Sequence, residues 1–195
     1  MGRDKALLPL GDETFLQHLI AVLRGKVSPL IVVLGHHASE IERQIAPGAE
    51  TPGPAAADDL VFLRNPNYFL GQLSSLQVAL RYLAERTAEG ALVALVDHPA
   101  ITKEVVALLL RRFEKTRAPV LIPTRQGRRG HPVLFARRLF QELLEAPVEE
   151  GARIVVRRHA DEVELVETDE EGILLDIDRP EDYERLVKRA MGSGE

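Results

Sequence analysis

The sequence contains no cysteine. Disulfides and thiolate metal sites are therefore excluded, and a reducing cytoplasm is the expected compartment. No uninterrupted apolar run reaches about 18 residues, so no membrane span is expected. The first residues are polar and charged, which argues against a secretory leader. Excess positive charge is lacking too: at a formal net charge of −5 the chain has no broad attraction for nucleic acid. Neither the GxGxxG dinucleotide pattern nor HExxH spacing occurs, which sets aside a Rossmann dehydrogenase and a histidine zinc centre. There is no internal repeat.

What is present is ordinary for a globular protein. Apolar residues make up 45% and charged residues 28% of 195 residues, enough for a single domain over 1–195 with a full core. Four short apolar runs rich in β-branched residues stand out: Pro29–Gly35, Leu60–Arg64, Ala91–Asp97 and Ala118–Pro123. Such runs suit strands covered on both faces. Helical periodicity lies between them, over Thr14–Arg24, Ala38–Ile45, Leu73–Arg86 and Lys103–Lys115, with Thr102 placed to cap the last. The alternation predicts βαβ units in an α/β three-layer sandwich. Pro47–Asp59, rich in Pro, Gly and Ala, reads as a surface loop. Beyond Gly130–Phe135 the pattern predicts a helix near Arg137–Leu144 and a strand near Glu162–Val166.

Ligands of open α/β sheets collect beyond the carboxyl ends of the strands. One run ends in Asp97, which either holds a divalent cation or caps the following turn. In "LLDIDRPEDY", Asp176 and Asp178 have alternate spacing, so on a strand both point to one face and one could join Asp97 on a metal. The plainer account is a strand end leading into a helix with Pro180 at its first position, and it fully explains Glu181 and Asp182. Lys5 precedes a short apolar run, a turn at Gly11-Asp12 and a helix. A cation there either serves an anion-binding turn or is simply solvated.

Taken together, "MGRDKALLPLG", "NPNYFLGQLSSLQVAL", "LVDHPAIT", "GHPVLF", "GAR" and "DIDRPEDY", in that order, resemble the MobA-like nucleotidyltransferases, most nearly the molybdenum cofactor cytidylyltransferase branch. The likeness runs from Met1 to about Ala190. It implies a Rossmann-like α/β/α sandwich with a mostly parallel mixed sheet, of the nucleotide-diphospho-sugar transferase type. It also implies a reaction: Mg²⁺-dependent transfer of a nucleoside monophosphate, CMP from CTP, from a nucleoside triphosphate to a phosphorylated small-molecule acceptor such as molybdopterin. The rival readings are a sugar-phosphate nucleotidyltransferase and a nucleotide-binding regulatory protein without turnover.

By that likeness Lys5 neutralises phosphate charge and Asp97 binds the metal, both as catalytic residues. Asp178 is the second metal ligand, with Asp176 its neighbour. Gly35, Gly71, Ser74 and Ser75 fall on the nucleotide side, the serines doubling as plausible helix caps. His98, Gly130 and His131 fall on the acceptor side. His36, His37, His18 and His159 receive no role, and Arg3 lies at a variable position. The family pattern is LAAGxSxRMGxxKxLLP, and this chain begins at its Met. The resemblance therefore implies that the strand and glycine-rich loop before that Met are missing. A central sheet position would then be empty and triphosphate binding weak. A start assigned too late and a shortened inactive homologue are the two explanations.

Overall fold

A computed structural model describes residues 4–45 and 60–192. In chain order the elements are β1 (Pro9–Leu10), β2 (Glu13–Thr14), α1 (Phe15–Leu23), β3 (Leu30–Leu34), α2 (Ala38–Ile45), β4 (Leu60–Arg64), α3 (Gln72–Ala84), β5 (Gly90–Val93), α4 (Lys103–Thr116), β6 (Val120–Arg125), β7 (Arg128–Arg129), β8 (Val133–Ala136), α5 (Phe140–Glu145), α6 (Arg153–Arg158), β9 (Val163–Glu167) and α7 (Pro180–Gly192). The expected loop at Pro47–Asp59 lies outside the described residues, as does Arg3.

The helix ends follow their local chemistry. Thr14 and Gln17 form a reciprocal capping box at the start of α1. Thr102 accepts the Val105 N–H at the start of α4, as its position in the sequence predicts. The expected helix at Arg137–Leu144 begins instead with a 3-10 turn at Arg137–Leu139. There the Arg137 guanidinium donates to the carbonyls of Ala84, Arg86 and Ala88, which ties the turn to the end of α3.

The sheet is mixed. β3 and β4 pair in parallel over Leu30–Leu34 and Leu60–Arg64. A second sheet runs β5-β8-β6, with β7 antiparallel and β9 parallel to β6. β8 is antiparallel to both of its neighbours, so β5, β6 and β9 share one direction. α1 and α4 cover one face, where Leu19, Ile20 and Val106 meet Val32 and Leu34. α3, α5 and α6 cover the other, where Leu80, Leu143 and Val155 meet Val120 and Phe135. Gln77 of α3 is buried and places its amide within hydrogen-bond reach of the carbonyls of Leu143, Leu144 and Ala146, which satisfies the end of α5. These three layers fulfil the α/β sandwich expected from the alternation.

Among the described residues no ladder joins β3 to β5. A cleft of about 1260 Å³ lies there, lined by residues of both strands. The paired part of β5 ends at Val93, four residues before Asp97, so Ala94–Asp97 leaves the ladder along the wall of this cleft.

Candidate functional site

Lys5 opens a 3-10 turn, Lys5–Leu7, whose first N–H groups need a partner; the Asp4 carboxylate accepts from Ala6 N–H at 3.1 Å. The chain then forms the β1–β2 hairpin, whose tight turn requires a left-handed residue, supplied by Gly11 at φ 62°. Leu8 and Phe15 from this segment pack with Ile177 and Leu186 from the far end of the sequence. Tyr183 donates its hydroxyl to the Pro9 carbonyl at 2.9 Å. The result brings Lys5 Nζ to 2.7 Å from Asp178 Oδ1 and 4.0 Å from Asp97 Oδ2. Asp178 is largely exposed, and such an ion pair contributes only about 0.2–1 kcal/mol. The apolar cluster therefore holds these segments together, and the ion pair reports where the cluster has put them. Lys5, Asp97 and Asp178, which the resemblance implies share one site, lie together.

Asp97 sits in a turn closed by the His98 N–H donating to the Leu95 carbonyl at 3.0 Å. The segment carrying Asp176 and Asp178 lies directly against it. Ile177 N–H donates to the Asp97 carbonyl at 2.9 Å, and Gly172 packs so closely on Ala100 that a Cβ there would stand 2.0 Å from its carbonyl oxygen. The expected strand is absent: Leu175–Asp178 makes no ladder, and the Ile177–Asp97 backbone bond and burial of Ile177 seat it against the Asp97 turn. The alternation survives, because a buried Ile177 leaves the aspartates on either side of it exposed. They differ in their other partners. Asp178 turns to Lys5, which holds its carboxyl below the usual range. Asp176 groups with Asp97 and His98, each offering one ligand atom within 4.8 Å of the other two. Burial, then the nearby charges of Asp97 and Asp178, push the Asp176 carboxyl up.

His98 is buried, and its ring lies 4.6 Å from that of His131. Burial, and then His98, lower the His131 imidazole to about 4, so it is neutral near pH 7. Asp97 Oδ1 and the Nδ1 atoms of both histidines are buried without a hydrogen-bond partner. Gly130 is needed for close approach, though the neighbour is protein: a Cβ would meet the Ile173 carbonyl oxygen at 2.5 Å, the same oxygen that accepts the His131 N–H. Gly130 thus docks the acidic segment onto the sheet while also lining the cleft.

The opposite rim is built at the carboxyl ends of β3 and β4. Gly35, Gly71 and Ser75 line the cleft with Asp97, Gly130 and His131. Gly71, at φ 102°, makes the turn into α3. Ser74 is buried and spends its hydroxyl inside the protein, donating toward the carbonyls of Gly71 and Asn67. Its role is to brace the turn before α3, and Ser75 is the serine that lines the cleft. The organiser of this corner is Asn65, which the sequence reading passed over. Asn65 is buried and donates to Ser74 Oγ at 2.8 Å and Ser75 Oγ at 2.9 Å, while its Oδ1 accepts from Asn67 N–H at 2.9 Å. Its signal was legible: an Asn before Pro at a strand end is a turn former with a side chain suited to bind backbone. Tyr68 was also missed. It covers Gly35, where a Cβ would meet its side chain at 2.5 Å, and its hydroxyl lies 3.1 Å from His36 Nδ1.

Residues 1–163 match the MobA-like NTP transferase domain family. A probable molybdenum cofactor guanylyltransferase of Mycobacterium tuberculosis is 34% identical over 128 residues, covering 63% of this chain and 55% of that protein. The chain thus spans about half the length of the curated relatives it matches there. The crystal structure of the Rv0371c homologue from Mycobacterium sp. strain JC1 is 30% identical, covers 99% of this chain and 91% of that one, and superposes with a TM-score of 0.76. That of Rv0371c from Mycobacterium tuberculosis in complex with manganese is 27% identical, with coverage of 96% and 93% and a TM-score of 0.70. The fold is that of the nucleotide-diphospho-sugar transferases, as the motifs implied. With the matched region extending from the Lys5 turn through the Asp97 turn and on to the start of β9, this chain belongs to the MobA-like NTP transferase family.

Proposed function

We propose that this protein transfers GMP from GTP to a phosphorylated pterin acceptor and releases pyrophosphate. The observation that carries the reading is the Lys5 ammonium set between Asp97 and Asp178, beside a cleft lined by Asp4, Ala6 and Asp97. The sequence alone favoured CTP; the curated relatives are named guanylyltransferases, which moves the preferred nucleotide to GTP.

In the reaction an oxygen of the acceptor phosphate forms a bond to the α-phosphorus. The bond from that phosphorus to the oxygen bridging to the β-phosphate breaks, and its electron pair leaves with pyrophosphate. Little covalent chemistry falls to the protein, so positioning and charge neutralisation supply the rate. Lys5 meets the negative charge that grows on the leaving group. The first turn of α3 offers backbone N–H groups, and Ser75 a hydroxyl, to the nucleoside. The neutral His131 imidazole lies on the acceptor side and exchanges hydrogen bonds without adding charge.

The residues fit a divalent cation, magnesium in the expectation from sequence. Asp97 Oδ1 is buried without a partner, and Asp176 is crowded by negative charge. Because Asp178 is engaged by Lys5, the second carboxylate assigned to the cation is Asp176. Held there, the cation would neutralise phosphate charge. The reading also assigns the space between β3 and β5 to a strand and glycine-rich loop of the family pattern, since each of these strands turns an edge to the cleft that no described strand pairs. The setting is the cytoplasm, in keeping with a cysteine-free chain and with no described helix long and apolar enough to cross a membrane.

The test is pyrophosphate release from GTP, CTP, ATP and UTP in parallel, with a divalent cation and a phosphorylated pterin. It is run on the chain as given and with an N-terminal extension carrying the LAAGxSxR pattern. GTP is the expected substrate, the extension is expected to raise the rate, and Lys5→Met is expected to lower it about 10²-fold or more. Absence of release from every triphosphate in the extended protein defeats the reading, and a preference for CTP restores the expectation from sequence.

A further inference from the structure

We infer that His98 is itself a ligand of the cation, so that the centre is a mixed carboxylate–imidazole site that selects a nitrogen-accepting divalent ion such as Mn²⁺ over Mg²⁺. The inference rests on the metal centre proposed above and adds the residue that sets its selectivity. Three observations meet at His98. First, one ligand atom each of Asp97, His98 and Asp176 lies within 4.8 Å of the others. A cation about 2.1 Å from each of two ligands holds them at most about 4.2 Å apart, so a small side-chain rotation closes the site. Second, the His98 residue is only 9% exposed and its Nδ1 has no hydrogen-bond partner. A buried ring nitrogen without a partner costs free energy unless something occupies it. Third, Asp97 Oδ1, buried beside it, is equally without a partner, while Lys5 approaches the other oxygen, Oδ2.

His131 completes the arrangement as a positioning residue. Its ring packs at 4.6 Å and 45° against His98 and restrains how that ring can turn. Its own Nδ1 is buried and without a partner.

The choice of ion follows from ligand chemistry. Mg²⁺ is a hard cation that prefers oxygen and retains water. An imidazole ligand shifts affinity toward ions higher in the Irving–Williams order, of which Mn²⁺ is the mildest and still accepts carboxylate and water. An Asp–His–Asp set therefore binds Mn²⁺ without excluding the carboxylates that suit it.

The experiment uses the full chain without nucleotide. Mn²⁺ and Mg²⁺ are titrated by calorimetry, and the Mn²⁺ complex is examined by pulsed electron paramagnetic resonance for nitrogen coupling. Nitrogen coupling is expected in the parent and lost in His98→Gln, with Mn²⁺ affinity falling about 10–100-fold and Mg²⁺ affinity changing much less. His98→Asn is measured alongside, and thermal melts confirm that each variant is folded. Absence of nitrogen coupling in the parent overturns the inference. So does coupling that persists in His98→Gln. If Asp97→Asn leaves Mn²⁺ binding unchanged, the metal centre of the proposed function falls with it. A nitrogen-coupled Mn²⁺ site in a protein that transfers no nucleotide leaves the inference standing and removes only the proposed reaction.

Discussion

Asn65→Ala tests the rim of the cleft at the carboxyl ends of β3 and β4. The substitution removes three hydrogen bonds, two donated to the hydroxyls of Ser74 and Ser75 and one accepted from the Asn67 N–H. Each is worth about 0.5–1.5 kcal/mol net, but the losses are unequal. Ser74 keeps its own donor engaged with the Gly71 carbonyl, so it loses only an acceptor role. The Asn67 N–H is left partly buried with its partner gone. The sum is about 2–3 kcal/mol, or a fall in Tm of roughly 5–10 °C for a chain of this size. Function should suffer separately. Ser75 loses the contact that orients it toward the cleft, so KM for the triphosphate is expected to rise while kcat changes little. Differential scanning calorimetry gives the first number and steady-state pyrophosphate release the second. A double-mutant cycle with Ser75→Ala should show coupling of about 0.5–1 kcal/mol. A Tm within 2 °C of the parent together with an unchanged KM, against the roughly 5–10 °C expected, would refute the role given to Asn65.

Two further outcomes are expected. Gly172→Ala places a Cβ against the backbone of Ala100, which cannot move as a side chain tip can; it should cost about 1–3 kcal/mol by thermal melt and weaken cation binding by displacing Asp176. A melt unchanged to within a degree would show that the segment yields freely. For pH, hydrogen bonds that His159 donates to Glu162 and then to Glu142 raise it above its ordinary value of 6.5. A raised imidazole lends stability in full below that value and loses it as pH rises through the folded pKa. The parent Tm should therefore decline slightly on the alkaline side of 6.5 relative to His159→Gln, and parallel profiles would remove the pair from the stability account.

Much of the architecture was legible because it rests on local signals. The runs at Leu30–Leu34 and Leu60–Arg64 are strands where apolar β-branched residues say so, and Ala38–Ile45 is a helix over the expected span. The aspartate segment was misread in kind. Alternate spacing does put Asp176 and Asp178 on one side, but a strand needs a partner ladder, and among the described residues this segment meets the Asp97 carbonyl and no strand. Which aspartate meets Lys5 was not legible either. That depends on how the Leu8, Phe15, Ile177 and Leu186 cluster seats one terminal segment on the other, a contact with no local sequence signature. At Gly130 the sequence says that something comes close and not what; in the structure the neighbour is Ile173.

The Lys5–Asp178 contact joins residues 173 positions apart. During synthesis the chain emerges in order, and a domain generally folds as a unit. Through most of that time Lys5 has no carboxylate from the acidic segment and Asp97 lacks the strip that seats against its carbonyl. A nascent chain, or a fragment cut ahead of Ile177, lacks Asp178 and the backbone bond to Asp97, and on the proposed reading it is chemically silent. On the proposed reading, transfer therefore waits for Ile177 and Asp178 to dock, and appearance of transfer during translation would serve as a clock for that docking.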